Sequence, residues 1–364
     1  MMPLELKEGS QVTLPAEAAG EQERVHVFSQ WEVDAVNAAL GAGRPLLVRG
    51  EPGIGKTQLA EAVAAQSGRV LLPFAVDARS ESRDLLWHLD TVQRLADAQL
   101  LGAARELLPV SRSQDENKQT TQGEPCRHDR IDELLGGLRE ILALENYLRP
   151  GPLWWAFDWE NARIQAEKVH IAPPSLSKPT AGCLVLIDEI DKAESDFPNG
   201  LLEALGSRRF TPWGQVNAVT AQDEPPLVII TTNEERALPD AFVRRCLVLH
   251  LTLPDHPNGL IQHLVERGQA HFPDADESVL RQAAAMLVED RSHADANQWF
   301  PLPGQAEYLD LLRAVMALKN TPEAQCACLV ELRRYVLMKH PEAARAAPDP
   351  STRSSNDEAA LASD

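Results

Sequence analysis

Residues Gly50-Glu51-Pro52-Gly53-Ile54-Gly55-Lys56-Thr57 set glycines, a lysine and a hydroxyl in the order G-x-x-x-x-G-K-[ST]. The spacing has a chemical reason. Glycines let the backbone curl until successive N–H groups point at phosphate oxygens. Lys56 reaches the β- and γ-phosphates as a point charge. Thr57 offers a hydroxyl to Mg²⁺ and opens a helix whose N-terminal dipole favours an anion. Gln58 continues into that helix and is counted with the loop.

The flanks suit the loop. Pro45 to Arg49 reads as a short buried strand, and Gln58 to Gln66 is alanine-rich and helix-prone. A second buried strand, Cys183 to Ile187, runs into Asp188 and Glu189. Asp188 at a strand's carboxyl end can hold Mg²⁺, and Glu189 beside it can orient and polarise an attacking water. The strand Val228 to Thr232 delivers Asn233, a neutral amide able to position that water. Arg244 and Arg245 precede a further strand. A guanidinium supplied in trans would offset charge developing on the γ-phosphoryl group.

Other elements must position these groups. Trp31 to Leu40 reads as helix, and Val70 to Val76 as a strand that Pro73 marks as edge or irregular. Leu85, Leu86, Leu89, Val92 and Leu95 fall at helical spacing within Ser82 to Leu101. Val110 to Arg130 is polar and turn-rich, expected as a mobile loop, and helical periodicity resumes over Ile131 to Leu148. Leu153 to Phe157 is an aromatic cluster, suited to packing or to a partner-facing patch. Phe197 to Leu205 reads as helix. Arg209 to Val216 reads as a hairpin turning near Trp213-Gly214, and Leu247 to Leu253 as a strand ended by Pro254. Residues 256–342 read as mostly helical.

The 364 residues carry a net charge of -19. No basic stripe interrupts that acidity, which argues against nucleic acid as the main partner. Met1 to Glu8 lacks an apolar core, so no signal peptide is expected, and no stretch approaches a membrane span. Five cysteines form no framework. Cys183 and Cys246 lie in apolar runs as core thiols, Cys326 and Cys328 sit on one predicted helix, and Cys126 lies in a polar loop. That usage suits a reducing cytoplasm.

The order of Gly50–Thr57, Leu184–Glu189, Thr231–Asn233 and Leu238–Arg245 resembles the AAA+ ATPases. Gly151-Pro152-Leu153 and Leu201-Leu202-Glu203-Ala204-Leu205 make it similar to their MoxR branch, over roughly residues 30–315. The resemblance implies an α/β fold. An αβα P-loop NTPase core with a parallel sheet would be followed by a small C-terminal α-helical lid. Lys56 and Thr57 become the Walker A pair, Asp188 and Glu189 Walker B, and Asn233 sensor 1. Arg245 is the better match for the arginine finger, with Arg244 second. ATP would bind through Gly50 to Gln58 and Asp188, with Mg²⁺ on Thr57 and Asp188. The family also implies a homo-oligomer, a hexameric ring, and protein clients that often carry von Willebrand factor A domains. A lid arginine for sensor 2 is missing from the stretch Pro301–Glu307, which offers Gln305 instead. The duty is absent or passes to another residue such as Arg313.

The expected organisation is a lead-in over 1–30, a core over 31–254 with a helix-2 insertion around 88–150, a lid over 255–342 and a disordered acidic tail over 343–364. The expected activity is ATP hydrolysis at subunit interfaces that remodels or activates partner proteins. A slow-hydrolysing, nucleotide-gated scaffold or signalling switch is the first alternative. A DNA-dependent motor fits the acidity poorly, and a small-molecule kinase leaves Asn233 and the arginine pair unexplained.

Overall fold

The structure, a computed structural model, describes residues 9–16, 23–107, 137, 140–176, 178–221 and 225–342. Its main sheet has five strands: β3 (Leu46–Arg49), β4 (Val70–Ala75), β7 (Cys183–Asp188), β10 (Leu227–Thr232) and β11 (Leu247–His250). They run in the order β11-β3-β10-β7-β4. β3 lies between β10 and β11 in parallel register, with Leu46 opposite both Ile229 and Leu247. Every residue of β10 is buried, as expected of a parallel strand covered on both faces. β4 is an outermost strand, which accommodates Pro73 and its missing donor. β11 ends at His250, short of Leu253.

The chain forms two compact units. The first comprises residues 1–68, 186–191 and 228–364. Its lead-in contains the antiparallel pair β1 (Gln11–Leu14) and β2 (Arg24–Val27), where only weak order was expected. Helix α1 (Gln30–Ala42) begins in a capping box. Ser29 accepts from the Glu32 N–H, and Glu32 accepts from the Ser29 N–H at 2.6 Å. Helix α2 (Lys56–Ser67) starts straight from the glycine loop and stops at Gly68 in the left-handed region. After α7 (Asp240–Val243) and β11 come four helices: α8 (Pro257–His271), α9 (Glu277–Ala296), α10 (Gln305–Leu318) and α11 (Pro322–Val336). They enclose their own core, with Leu264, Leu280, Ala284, Leu287, Tyr308 and Leu312 fully buried.

The second unit comprises residues 69–185 and 192–227. The expected helix from Ser82 is not there. A 3₁₀ turn (Ser82–Leu85) leads into β5 (Trp87–Leu89), and α3 (Thr91–Leu107) begins only afterwards. The reason is non-local: β5, inside the stretch with helical spacing, pairs antiparallel with β6 (Leu148–Pro150). The aromatic run lies in α4 (Pro152–Phe157) and is packed inward. Trp154 is fully buried, meets Phe210 edge-on at 5.6 Å and donates to Asn161 at 2.8 Å. Helices α5 (Trp159–Lys168) and α6 (Phe197–Ser207) follow. The hairpin is wider than its sequence suggested. β8 (Arg209–Phe210) pairs with β9 (Val219–Thr220), so the chain returns beyond Val216. The polar loop Val110–Arg130, with Cys126, and the tail 343–364 lie outside the described residues.

Candidate active site

The site is built at the carboxyl ends of β3, β7 and β10, all within the first unit. β3 feeds the glycine loop and the loop feeds α2, so Lys56 and Thr57 occupy the helix's first turn. Gly53 (φ +77°) and Gly55 (φ +100°) take the left-handed backbone that the curl requires. Glu51, Pro52 and Gly53 are exposed, while Gly50, Ile54, Gly55 and Thr57 are half-buried. The half-buried Gln58 donates to the Val25 carbonyl at 3.3 Å, tying α2 to β2.

Lys56 is the buried charge of the site. Its ammonium donates to the carbonyls of Gly50 at 2.8 Å and Glu51 at 2.9 Å. Burial pulls its pKa below the ordinary lysine value, while Asp188, Asp191, Glu189 and Glu234 pull it back upward. The cation therefore lies among four carboxylates that favour its charged form.

Thr57 and Asp188 meet directly. The hydroxyl donates to the carboxylate at 3.1 and 3.0 Å. An alcohol oxygen and a carboxylate, one at a helix start and one at a strand end, form an oxygen donor set suited to a hard divalent cation. These residues therefore fit Mg²⁺. Thr231 on β10 completes the arrangement. Its hydroxyl donates to Asp188 Oδ1 and accepts the Glu189 N–H at 2.9 Å.

Glu189 sits at φ +59°, in the left-handed region. Asn233 Nδ2 donates to Glu189 Oε1 at 3.1 Å, so the amide from β10 holds the carboxylate from β7. The Asn233 segment is held in turn by the buried Asp191, which accepts from the Asn233 N–H at 3.2 Å and the Glu235 N–H at 3.0 Å. Sequence reasoning missed Thr231 and the bracing role of Asp191. The one local signal was Thr231-Thr232, two hydroxyls closing an otherwise aliphatic strand.

Arg244 and Arg245 follow α7 and are both exposed. Among the described residues neither forms a hydrogen bond or ion pair with the loop, Asp188 or Glu189. Arg44 fixes their backbone instead, donating to the carbonyls of Arg244, of Arg245 at 3.0 Å and of Cys246 at 3.4 Å. Arg244 also lines a cleft of about 600 Å³ with Arg49, Thr232, Glu234, Arg236 and Asp240.

The helical region reaches the loop from the other side. Ala306 Cβ lies only 2.8 Å from where a Cβ on Gly53 would stand. Gln305, the first residue of α10, is buried and shares a 3.0 Å hydrogen bond with His263. Its Nε2 is 4.0 Å from the corresponding point on Gly55, so the stretch in which a lid arginine was sought does reach the loop and brings an amide there. Arg313, on the same helix, pairs with Asp310 at 2.6 Å. Arg291 on α9 does bring a cation to the loop, pairing with Glu51 at 2.7 Å. No local pattern marked it.

The buried thiols of Cys183 and Cys246 are both pushed up to about 11 by burial, as core positions require. Among the described residues no cluster of His, Cys, Asp and Glu could hold a metal by itself, and no helix is long and apolar enough to cross a membrane.

No curated protein matches the chain. Similar solved structures include a candidate ATPase of Cytophaga hutchinsonii, 14% identical over 84% of this chain and 79% of that one, at a TM-score of 0.33. A point mutant of RuvB from Thermotoga maritima is 12% identical over 84% of this chain and 69% of that one, at a TM-score of 0.39. The decisive match is to the family profile described as AAA domain (dynein-related subfamily), which spans residues 45–246 and so takes in the glycine loop, Asp188, Glu189, Asn233 and the arginine pair. The chain, more than half of it covered by that profile, belongs to the dynein-related subfamily of AAA domains, a P-loop ATPase family.

Proposed function

We propose that the protein hydrolyses ATP with Mg²⁺ in a site shared between subunits and uses the cycle to remodel or activate partner proteins, in the manner of the MoxR branch. The carrying observation is the joined pair of contacts Thr57–Asp188 and Asn233–Glu189. Together they support this reading, with a donor set that fits a metal and a carboxylate held by a neighbouring amide.

Bound Mg²⁺ would neutralise charge on the phosphates. The loop's N–H groups and Lys56 would hold the β- and γ-phosphates, and Thr57 and Asp188 would hold the metal. Glu189 accepts hydrogen bonding from the attacking water, and Asn233 fixes the carboxylate's direction. Water oxygen bonds to the γ-phosphorus as the bond to the β–γ bridging oxygen breaks, giving ADP and phosphate, and the water's proton passes through Glu189 to solvent. Arg245, with Arg244 beside it, serves a neighbouring subunit's nucleotide. This reading calls for a homo-oligomer, a hexameric ring, in the cytoplasm, with a protein client that carries a von Willebrand factor A domain.

Glu189→Gln should retain ATP binding while steady-state turnover falls by about 10²-fold or more. Loss of binding together with turnover would remove Glu189's assigned role. Arg245→Ala should silence hydrolysis alone and recover it when mixed with Glu189→Gln subunits that donate the arginine.

One observation favours a second reading. Gln305 brings an uncharged amide to the loop, which suits a slow nucleotide-gated scaffold. Turnover that stays below about one per minute with the client present would favour that reading.

A further inference from the structure

The phosphate loop carries a carboxylate next to where the proposed reading puts a triphosphate. Glu51 is the second residue of the loop, and its side chain is about half exposed. A fixed negative charge there repels a polyanion unless something cancels it. Arg291 lies against it, with Nη2 at 2.7 Å from Oε1 and only 18% of its side chain exposed. Its Nη1 donates to the Pro303 carbonyl at 3.0 Å. Pro303 directly precedes Gly304, the N-cap of α10, and α10 opens with the Gln305 and Ala306 that stand against Gly55 and Gly53.

One planar guanidinium thus joins three things: the loop's carboxylate, helix α9, and the backbone that aims α10 at the loop. The two donors leave in fixed directions, which a lysine ammonium does not reproduce. An isolated exposed ion pair contributes little. This one holds a mostly buried cation, and losing Glu51 or Arg291 leaves the other member's charge uncompensated.

We infer that Arg291 is a positioning residue for nucleotide binding: its ion pair with Glu51 latches the helical region onto the phosphate loop and cancels the loop's own repulsion of the triphosphate. The inference rests on the loop binding nucleotide and does not need hydrolysis.

The test is a fluorescent-ATP titration of the full-length chain carrying Arg291→Ala, Glu51→Gln, both together, or Arg291→Lys. Arg291→Ala should weaken binding about tenfold, raise KM in step and leave kcat within about twofold. Glu51→Gln removes the repulsion along with the latch and should bind better than Arg291→Ala, and the double variant should also bind clearly better than Arg291→Ala alone. Arg291→Lys should recover part of the affinity. Thermal melting of each variant separates the latch from a folding defect. The inference is overturned if Arg291→Ala binds as the parent does, or if the double variant binds no better than Arg291→Ala. A parent chain that binds ATP without turning it over, while the variants follow the expected order, would sink the hydrolytic reading and leave the latch standing.

Discussion

The phosphate loop is held on two sides, and the two grips differ in kind. Toward the sheet, Thr57, Asp188, Thr231 and the Glu189 amide form a chain of hydrogen bonds at strand ends whose register is set by buried parallel pairing. Toward the helical region, the grip is one ion pair, one close approach of Ala306 to Gly53, and an amide beside Gly55. Polar groups locked at the ends of interior strands tolerate little displacement, because each lost partner leaves a desolvated group unsatisfied. A single ion pair with one half-exposed member and a small apolar contact part and reform more readily than that network. The sheet side therefore suits chemistry that needs fixed geometry, and the helical side suits motion linked to nucleotide.

The widest gap between the two sides should come from Asp188→Ala. It removes the shared acceptor of Thr57 and Thr231, so turnover should drop by about 10²-fold or more, and the melting temperature should fall as well because the buried Thr231 hydroxyl loses its partner. A Mg²⁺ titration that still saturates near the parental concentration would place the metal elsewhere. Gly53→Ala comes next and acts on the helical side. Its methyl would overlap Ala306 at 2.8 Å, and φ +77° disfavours any side chain, so a cost of about 1–2 kcal/mol is expected in chemical denaturation. Adding Ala306→Gly should return the steric part and leave the backbone part. If the double variant is no more stable than Gly53→Ala, the contact is not what limits that position.

Acid should act on the helical side and have the smallest effect. His271, the last residue of α8, is pushed down to about 4 by burial, helped by the charges of Arg313 and Arg267. An unfolded histidine titrates near ~6.5. The unfolded chain therefore takes up this proton first. The stabilisation is complete above ~6.5 and is lost as pH falls toward 4, by an amount on the order of 1 kcal/mol once solvent screening is allowed for. Melting curves of His271→Gln against the parent should converge over that window. Parallel curves would show that His271 carries no share of the acid response.

These two sides were unequally legible in the sequence. The sheet side is written in contiguous runs. A glycine loop needs its glycines adjacent, and an aliphatic run ending in Asp188-Glu189 or in Thr-Thr-Asn233 announces a buried strand with polar groups at its end. The helical side is assembled across long separations. Arg291 stands 240 positions from Glu51, on a helix whose face gives no hint that one arginine points at a loop. The same cause misled the reading of Ser82 to Leu101. Leu85 and Leu89 satisfy helical spacing, yet Trp87 is claimed by Pro150 across a strand pair. Local periodicity cannot register a partner roughly sixty residues away, and long-range pairing overrides it. Gln305 lay between these cases. Its place was legible from the residues around it, but the place of Arg291 was not.

The left-handed backbone at Glu189 has a consequence for the protein's tolerance to selection. A side chain held there costs about 1 kcal/mol that glycine would not incur. Selection for heat resistance alone would reward Glu189→Gly, and every survivor so obtained would have discarded the carboxylate that Asn233 holds. On the proposed reading, thermostability and turnover are set against each other at this single position, so a variant stabilised there has to be screened for turnover as well.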